Sequence, residues 1–140
     1  MGLDTQPLQS VTYVGALTGS NSTEVPIFTA PLACRIVSIN LVDLTGVTAH
    51  TQNYGTATVT NKGTDGSGTT SVAARATDTA TTDDITAFKV WALTNSTTEA
   101  DLELAANEVL AFAWTEAGSG QDLGGAAVTV NYAHGSGAGN

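Results

Sequence analysis

Glu116 and Asp122 stand six residues apart in the stretch TEAGSGQDLGGAAV, on either side of Gly118 and Gly120. Paired carboxyls are the acid and base of glycoside hydrolysis. That chemistry needs them roughly 5–10 Å apart across a cleft, in settings that split their pKa values. A glycine-rich turn promises neither burial nor rigidity, so the two read as solvated residues at the tip of a hairpin. The same glycines do not read as a phosphate cradle. A P-loop runs GxxxxGK[ST] into a helix, whose N–H groups face the anion. No lysine follows Lys89, and Leu123 occupies the third glycine position of GxGxxG. The next residues, AAVTV, have the pattern of a strand.

The other reactive residue types are scattered. His50 and His134 are the two histidines and form no HxxxH or HxH pair. Cys34 has no Cys or His near it in sequence, so zinc has no ligand set there. Arg35 falls on the opposite side of a strand from Cys34 and does not activate it. A small buried hydrophobe is the better reading of this thiol. NKGTDGSG partly follows a calcium loop, with Asn61, Asp65 and Gly66 in register, but Gly63 replaces a ligand and Val72 stands where the bidentate Glu belongs. At most a weak adventitious calcium contact is expected. No GxSxG elbow occurs. The chain is therefore expected not to be an enzyme and to use no cofactor or metal.

Two tryptophans complete the inventory. Trp114 shares a strand face with Leu110 and Phe112, which places it in a core. Trp91 shares its face with Lys89, which makes it a candidate for an exposed contact and for a platform on which a sugar could stack.

Composition narrows the partners. The 140 residues carry thirteen acids and four bases, a net charge of −9. Arg35, Lys62, Arg75 and Lys89 are isolated, whereas nucleic-acid binding needs clustered bases. An anionic membrane surface repels such a chain, and no stretch approaches the ~20 apolar residues of a membrane helix. Only 12% of residues are charged. Thr, Ser, Asn and Gly supply the polarity instead. A single cysteine excludes an internal disulfide. MGLDTQPLQS has neither the basic region nor the apolar run of a signal peptide.

The elements that must position these residues are strands. Period two prevails almost everywhere. VTYVGAL places Val11, Tyr13, Gly15 and Leu17 on one face. EVPIFTA contains Pro26, which consigns it to an edge or a strand end. In LACRIVSINLVDL, Val37, Ile39 and Leu41 share one face, and Ile36, Ser38, Asn40 and Val42 the other. YGTATVTN, VAARA, ITAFKVWAL, EVLAFAWT and AAVTVNYA follow, separated by clusters of Gly, Asn, Asp, Ser and Thr. ITAFKVWAL sets Phe88, Val90 and Ala92 opposite Lys89, Trp91 and Leu93. TEADLELAANEVL reads as a strand DLEL and a turn at Ala106-Asn107, with one helical turn as the alternative. The sum is an all-β chain of about eight strands, an antiparallel β-sandwich. A loose arm is expected at 1–10, the domain at 11–133 and a flexible tail at 134–140.

The order of these segments resembles a known family. FTAPLACRIVSINLVDL, YGTATVTNKGT and ANEVLAFAWTEAGSGQDLGGAAVTVNYA give an F-x-AP entry, a small-residue step into a long strand, and a G-T strand. An N-E-V-L strand, a glycine-rich turn and a closing V-T-V-x-Y strand follow. Over residues 25–133 this is similar to the head decoration, or cement, proteins of tailed bacteriophages. The resemblance implies a jelly-roll-like sandwich and a homotrimer on the outer capsid surface. There it would bridge major capsid protein subunits and stabilise the shell. Contacts are then expected from the arm through Leu3, Pro7 and Leu8, from Trp91, and from the glycine-rich loop through Asp122 and Leu123. The alternative is a receptor- or glycan-binding module of a phage tail or fibre, with Trp91 as its platform.

Overall fold

A computed structural model describes residues 8–14 and 24–135. Leu3, Pro7, Gly15, Leu17 and residues 136–140 lie outside the described residues. Ten strands are present: β1 (Gln9–Val14), β2 (Val25–Thr29), β3 (Cys34–Asp43), β4 (Gly55–Asn61), β5 (Thr70–Ala76), β6 (Trp91–Ala92), β7 (Thr94–Asn95), β8 (Glu103–Leu104), β9 (Val109–Glu116) and β10 (Ala126–His134). A 3-10 turn, Glu99–Leu102, precedes β8, so the helical alternative takes Asp101 and Leu102 and only Glu103–Leu104 of the expected strand DLEL remain. The turn at Ala106-Asn107 is present, with Asn107 at φ +71°.

The strands form two antiparallel sheets. One runs β1-β10-β3-β6, with β8 also paired to β3. The other runs β2-β9-β4-β5-β7. The pairings β1–β10, β2–β9, β3–β6 and β4–β5 nest inside one another, like one long hairpin. Winding that hairpin adds β10–β3 and β9–β4 and closes the two sheets over each other. This is a jelly roll. Pro26 lies on β2, an edge strand, where a missing N–H removes no ladder bond from the sheet interior.

The core is the inner surface of both sheets. Ile36, Ile39, Leu41, Val128 and Val130 face Val59, Val72, Leu110, Phe112 and Trp114 across it. At 25 cal/mol per Å², each fully buried side chain of this size contributes about 1.5–3 kcal/mol. One period-two expectation fails. Ile36 is buried and Val37 exposed, because the register of β3 against β10 shifts there: Ser38 pairs Asn131 and Ile36 pairs Tyr132. Val37 is the extra residue of a β-bulge, and the bulge lets Ile36 and Ile39 both point inward.

Candidate interaction surface

The glycine-rich loop between β9 and β10 is fastened to its neighbours rather than free. Ala117 N–H donates to Tyr54 O at 2.8 Å. Ser119 N–H donates to Asn53 Oδ1 at 2.9 Å, and Thr48 N–H to Gln121 Oε1 at 2.6 Å. Trp114 Nε1 reaches Gln121 O at 3.2 Å. This is a correction to the flexible tip that the glycines suggest. Glu116 is half-buried there, and burial, a hydrogen bond with Asp122 and the charge of Asp122 all push its carboxyl above the ordinary value. So the two carboxyls do meet, but the indole of Trp114 and the loop backbone pack around them. Asp122 is exposed, as a contact residue requires. Leu123 is not. It is buried in the core cluster, because the chain turns inward before Gly124 and Gly125.

The residue that fixes this end of the sandwich is Asp43, which sequence reading missed. It is wholly buried, and its carboxylate accepts five hydrogen bonds. Oδ2 takes Thr45 N–H, Thr45 Oγ1 and Gly46 N–H, at 3.3, 3.3 and 2.8 Å. Oδ1 takes Gly124 N–H and Gly125 N–H at 3.0 and 3.1 Å. A buried charge persists only when donors replace its water, and here two loops supply them. A second tie is Thr77, whose Oγ1 accepts Gly55 N–H at 3.0 Å.

Trp91 is also a correction. It is 4% exposed and lies in the core, with the Arg75 guanidinium 4.7 Å from its ring centroid. Arg75 in turn bonds Asp83 and Ala92 O, at 3.0 Å each. The strand expected over ITAFKVWAL is corrected too: residues 87–89 turn and only Trp91–Ala92 form β6, so Trp91 and Leu93 face inward while Phe88, Lys89 and Val90 are all exposed. No aromatic platform for a sugar exists at Trp91.

Cys34 and His134 are distant in sequence yet direct cross-strand partners. Burial, with the charge of Glu108, pushes the thiol up, away from a reactive thiolate. Asn61 and Asp65 bond their own turn, to Gly63 N–H and to Ser67, and do not converge on a common point. Among the described residues, no three His, Cys, Asp or Glu side chains are placed to hold a metal.

What stands out is where charge lies. Outward from β1, β10 and β3 point three rows: Ser10, Asn131 and Ser38; Thr12, Thr129 and Asn40; Val14, Ala127 and Val42. None is charged. The outer rows of the other sheet, such as Thr58 with Ala113 and Thr60 with Ala111, are uncharged too. Ion pairs sit at the rims, between Arg35 and Glu99, Lys62 and Glu24, and Arg75 and Asp83. The middle rows of both broad faces are thus uncharged, and on the first sheet the outward row at the start of β3 carries Arg35 and Glu103. Leu8, the first described residue, is exposed at the start of β1.

The chain matches no protein-family model and no curated protein. Among solved structures it is similar to a chain in the structure of infectious bursal disease virus, Gx strain. That alignment has 17% identity and a TM-score of 0.44, covering 94% of this chain and 33% of the other. The chain thus spans about a third of that neighbour's length.

Proposed function

We propose that this chain is a structural virion protein that decorates and stabilises the outer surface of a phage capsid. In this reading it is a homotrimer and bridges major capsid protein subunits. The observation that carries it is the division of charge: the middle rows of both broad faces are uncharged and rich in Thr, and the ion pairs lie away from them. Like charges facing each other cost several kcal/mol, so these uncharged rows are where acidic chains can pack side by side. The resemblance over residues 25–133 supplies the phage setting and the trimer. A rigid jelly roll with fastened loops suits a mechanical part.

The test is co-sedimentation of the purified chain with expanded and with immature phage capsids. Saturable binding to expanded shells, with none to immature ones, is the expected result. A chain that ignores both would end this reading.

A further inference from the structure

The outer face of the β1-β10-β3-β6 sheet ends at one corner in apolar side chains that the described residues leave uncovered. Val14, Phe88, Val90 and Leu44 are 74%, 75%, 61% and 51% exposed. Val14 and Val42 flank Ala127 across three paired strands. Leu44 continues β3, and Phe88 is held beside it by its N–H to Asp43 O at 2.9 Å. Val14, Val42, Leu44, Phe88 and Ala127 border a recess of about 300 Å³. Phe88 does not fill it, since three quarters of its surface is in solvent. Its backbone is at φ +61°, a conformation that side chains with a Cβ rarely adopt. Strain and apolar exposure thus coincide at one residue, and both are unfavourable in an isolated chain.

We propose that this corner is the contact with a second copy of this chain, the Phe88 ring of one copy entering the recess of its neighbour. The inference rests on the reading above that the chain works as assembled copies. Three observations select this occupant. First, a second acidic chain meets no like charge on the rows Thr12–Thr129–Asn40 and Val14–Ala127–Val42, and the exposed Lys89 beside Phe88 is a cation. Second, projecting ring and recess adjoin on the same chain, so each copy presents both halves of one contact, as symmetric association requires. Third, part of the neighbouring polar rows is already paired within the chain, which lowers the cost of covering it. Thr12 and Thr129 hydroxyls bond each other at 2.9 Å, and Ser10, Asn131 and Ser38 form a chain at 2.5 and 2.9 Å. The opposite sheet does not compete. Among the described residues, none of the large exposed hydrophobics lies on β2, β9, β4, β5 or β7.

The test is sedimentation of the full chain, wild type beside Phe88→Asp and Thr58→Asp, with circular dichroism to confirm folding. Wild type and Thr58→Asp are expected at the same multiple of 14.1 kDa, and Phe88→Asp at 14.1 kDa. A second arm introduces Ala127→Cys. Cys34 is buried, so the new thiol is the accessible one. Mild oxidation is expected to give a band at twice the chain mass, in excess of that from Thr58→Cys. A monomeric wild type, a Phe88→Asp chain of unchanged mass, or equal cross-linking at Ala127 and Thr58 would each overturn the proposal. Capsid co-sedimentation of the same variants separates the two readings. If Phe88→Asp keeps its assembled mass but loses capsids, this corner faces the shell and the self-contact is wrong, while the decoration role stands.

Discussion

Asp43 and Leu44 are neighbours at the end of β3, yet the chain treats them in opposite ways. The charged residue is wholly buried, and the apolar one is half exposed, beside Phe88 and above the recess. The buried carboxylate is complete in one chain: five donors from two loops surround it. The exposed corner is incomplete by contrast: among the described residues nothing lies over its apolar surface. One region spends polar groups to hold the fold and the other keeps apolar groups for a neighbour. The difference is that the first serves stability and the second association, and variants can separate them.

The largest effect is expected at Asp43. Asp43→Ala strands buried N–H groups at about 1–3 kcal/mol each. A loss of about 3 kcal/mol or more should follow, near 10 °C in melting temperature, read by thermal or denaturant unfolding. Its effect on association should appear only through unfolding. Gly55→Ala comes next. An added Cβ would fall inside the indole ring of Trp114, so overpacking of about 1–3 kcal/mol is expected in the same assay. At the other corner the sign reverses. Phe88→Gly relieves a positive φ and removes an exposed ring, so the isolated domain should gain about 1 kcal/mol while its association weakens. A loss of stability there would blur the contrast between the two regions.

The smallest effect is that of pH through Glu116. Its carboxyl is raised in the folded chain relative to its ordinary 4.5, so ionising it costs stability. That cost is full above the raised folded value, shrinks as pH falls through it, and is gone below 4.5. Glu116→Gln should therefore be slightly more stable than wild type at neutral pH, with the difference vanishing at about pH 3, where both folded and unfolded carboxyls are protonated. Unfolding midpoints across that range check the sign.

Much of this was legible in sequence. Alternation located every long strand, Pro26 marked an edge, and Asn107 marked a turn. Trp114 was placed correctly because Leu110 and Phe112 share its face. Trp91 was not, because the alternation was carried back through residues 87–89, which turn, so Lys89 does not share the face of Trp91. Val37 was misplaced because a bulge depends on the partner strand, which local pattern does not contain. Asp43 read as an ordinary strand end. Its five donors come from residues 45–46 and 124–125, brought together only by the jelly-roll winding. Leu123 and Asp122 looked alike in the loop, and the inward turn at Leu123 separated them. The association corner was not legible, because Phe88 was read as part of a strand and lies in a turn.

Image reconstruction of phage capsids carrying and lacking this chain tests the central claim most directly. The account predicts added density outside the shell, in clustered copies, with the Val14–Phe88 corner of each jelly roll closed against a neighbouring copy. Capsids unchanged by the chain, or copies whose Val14–Phe88 corner faces open solvent, would contradict it.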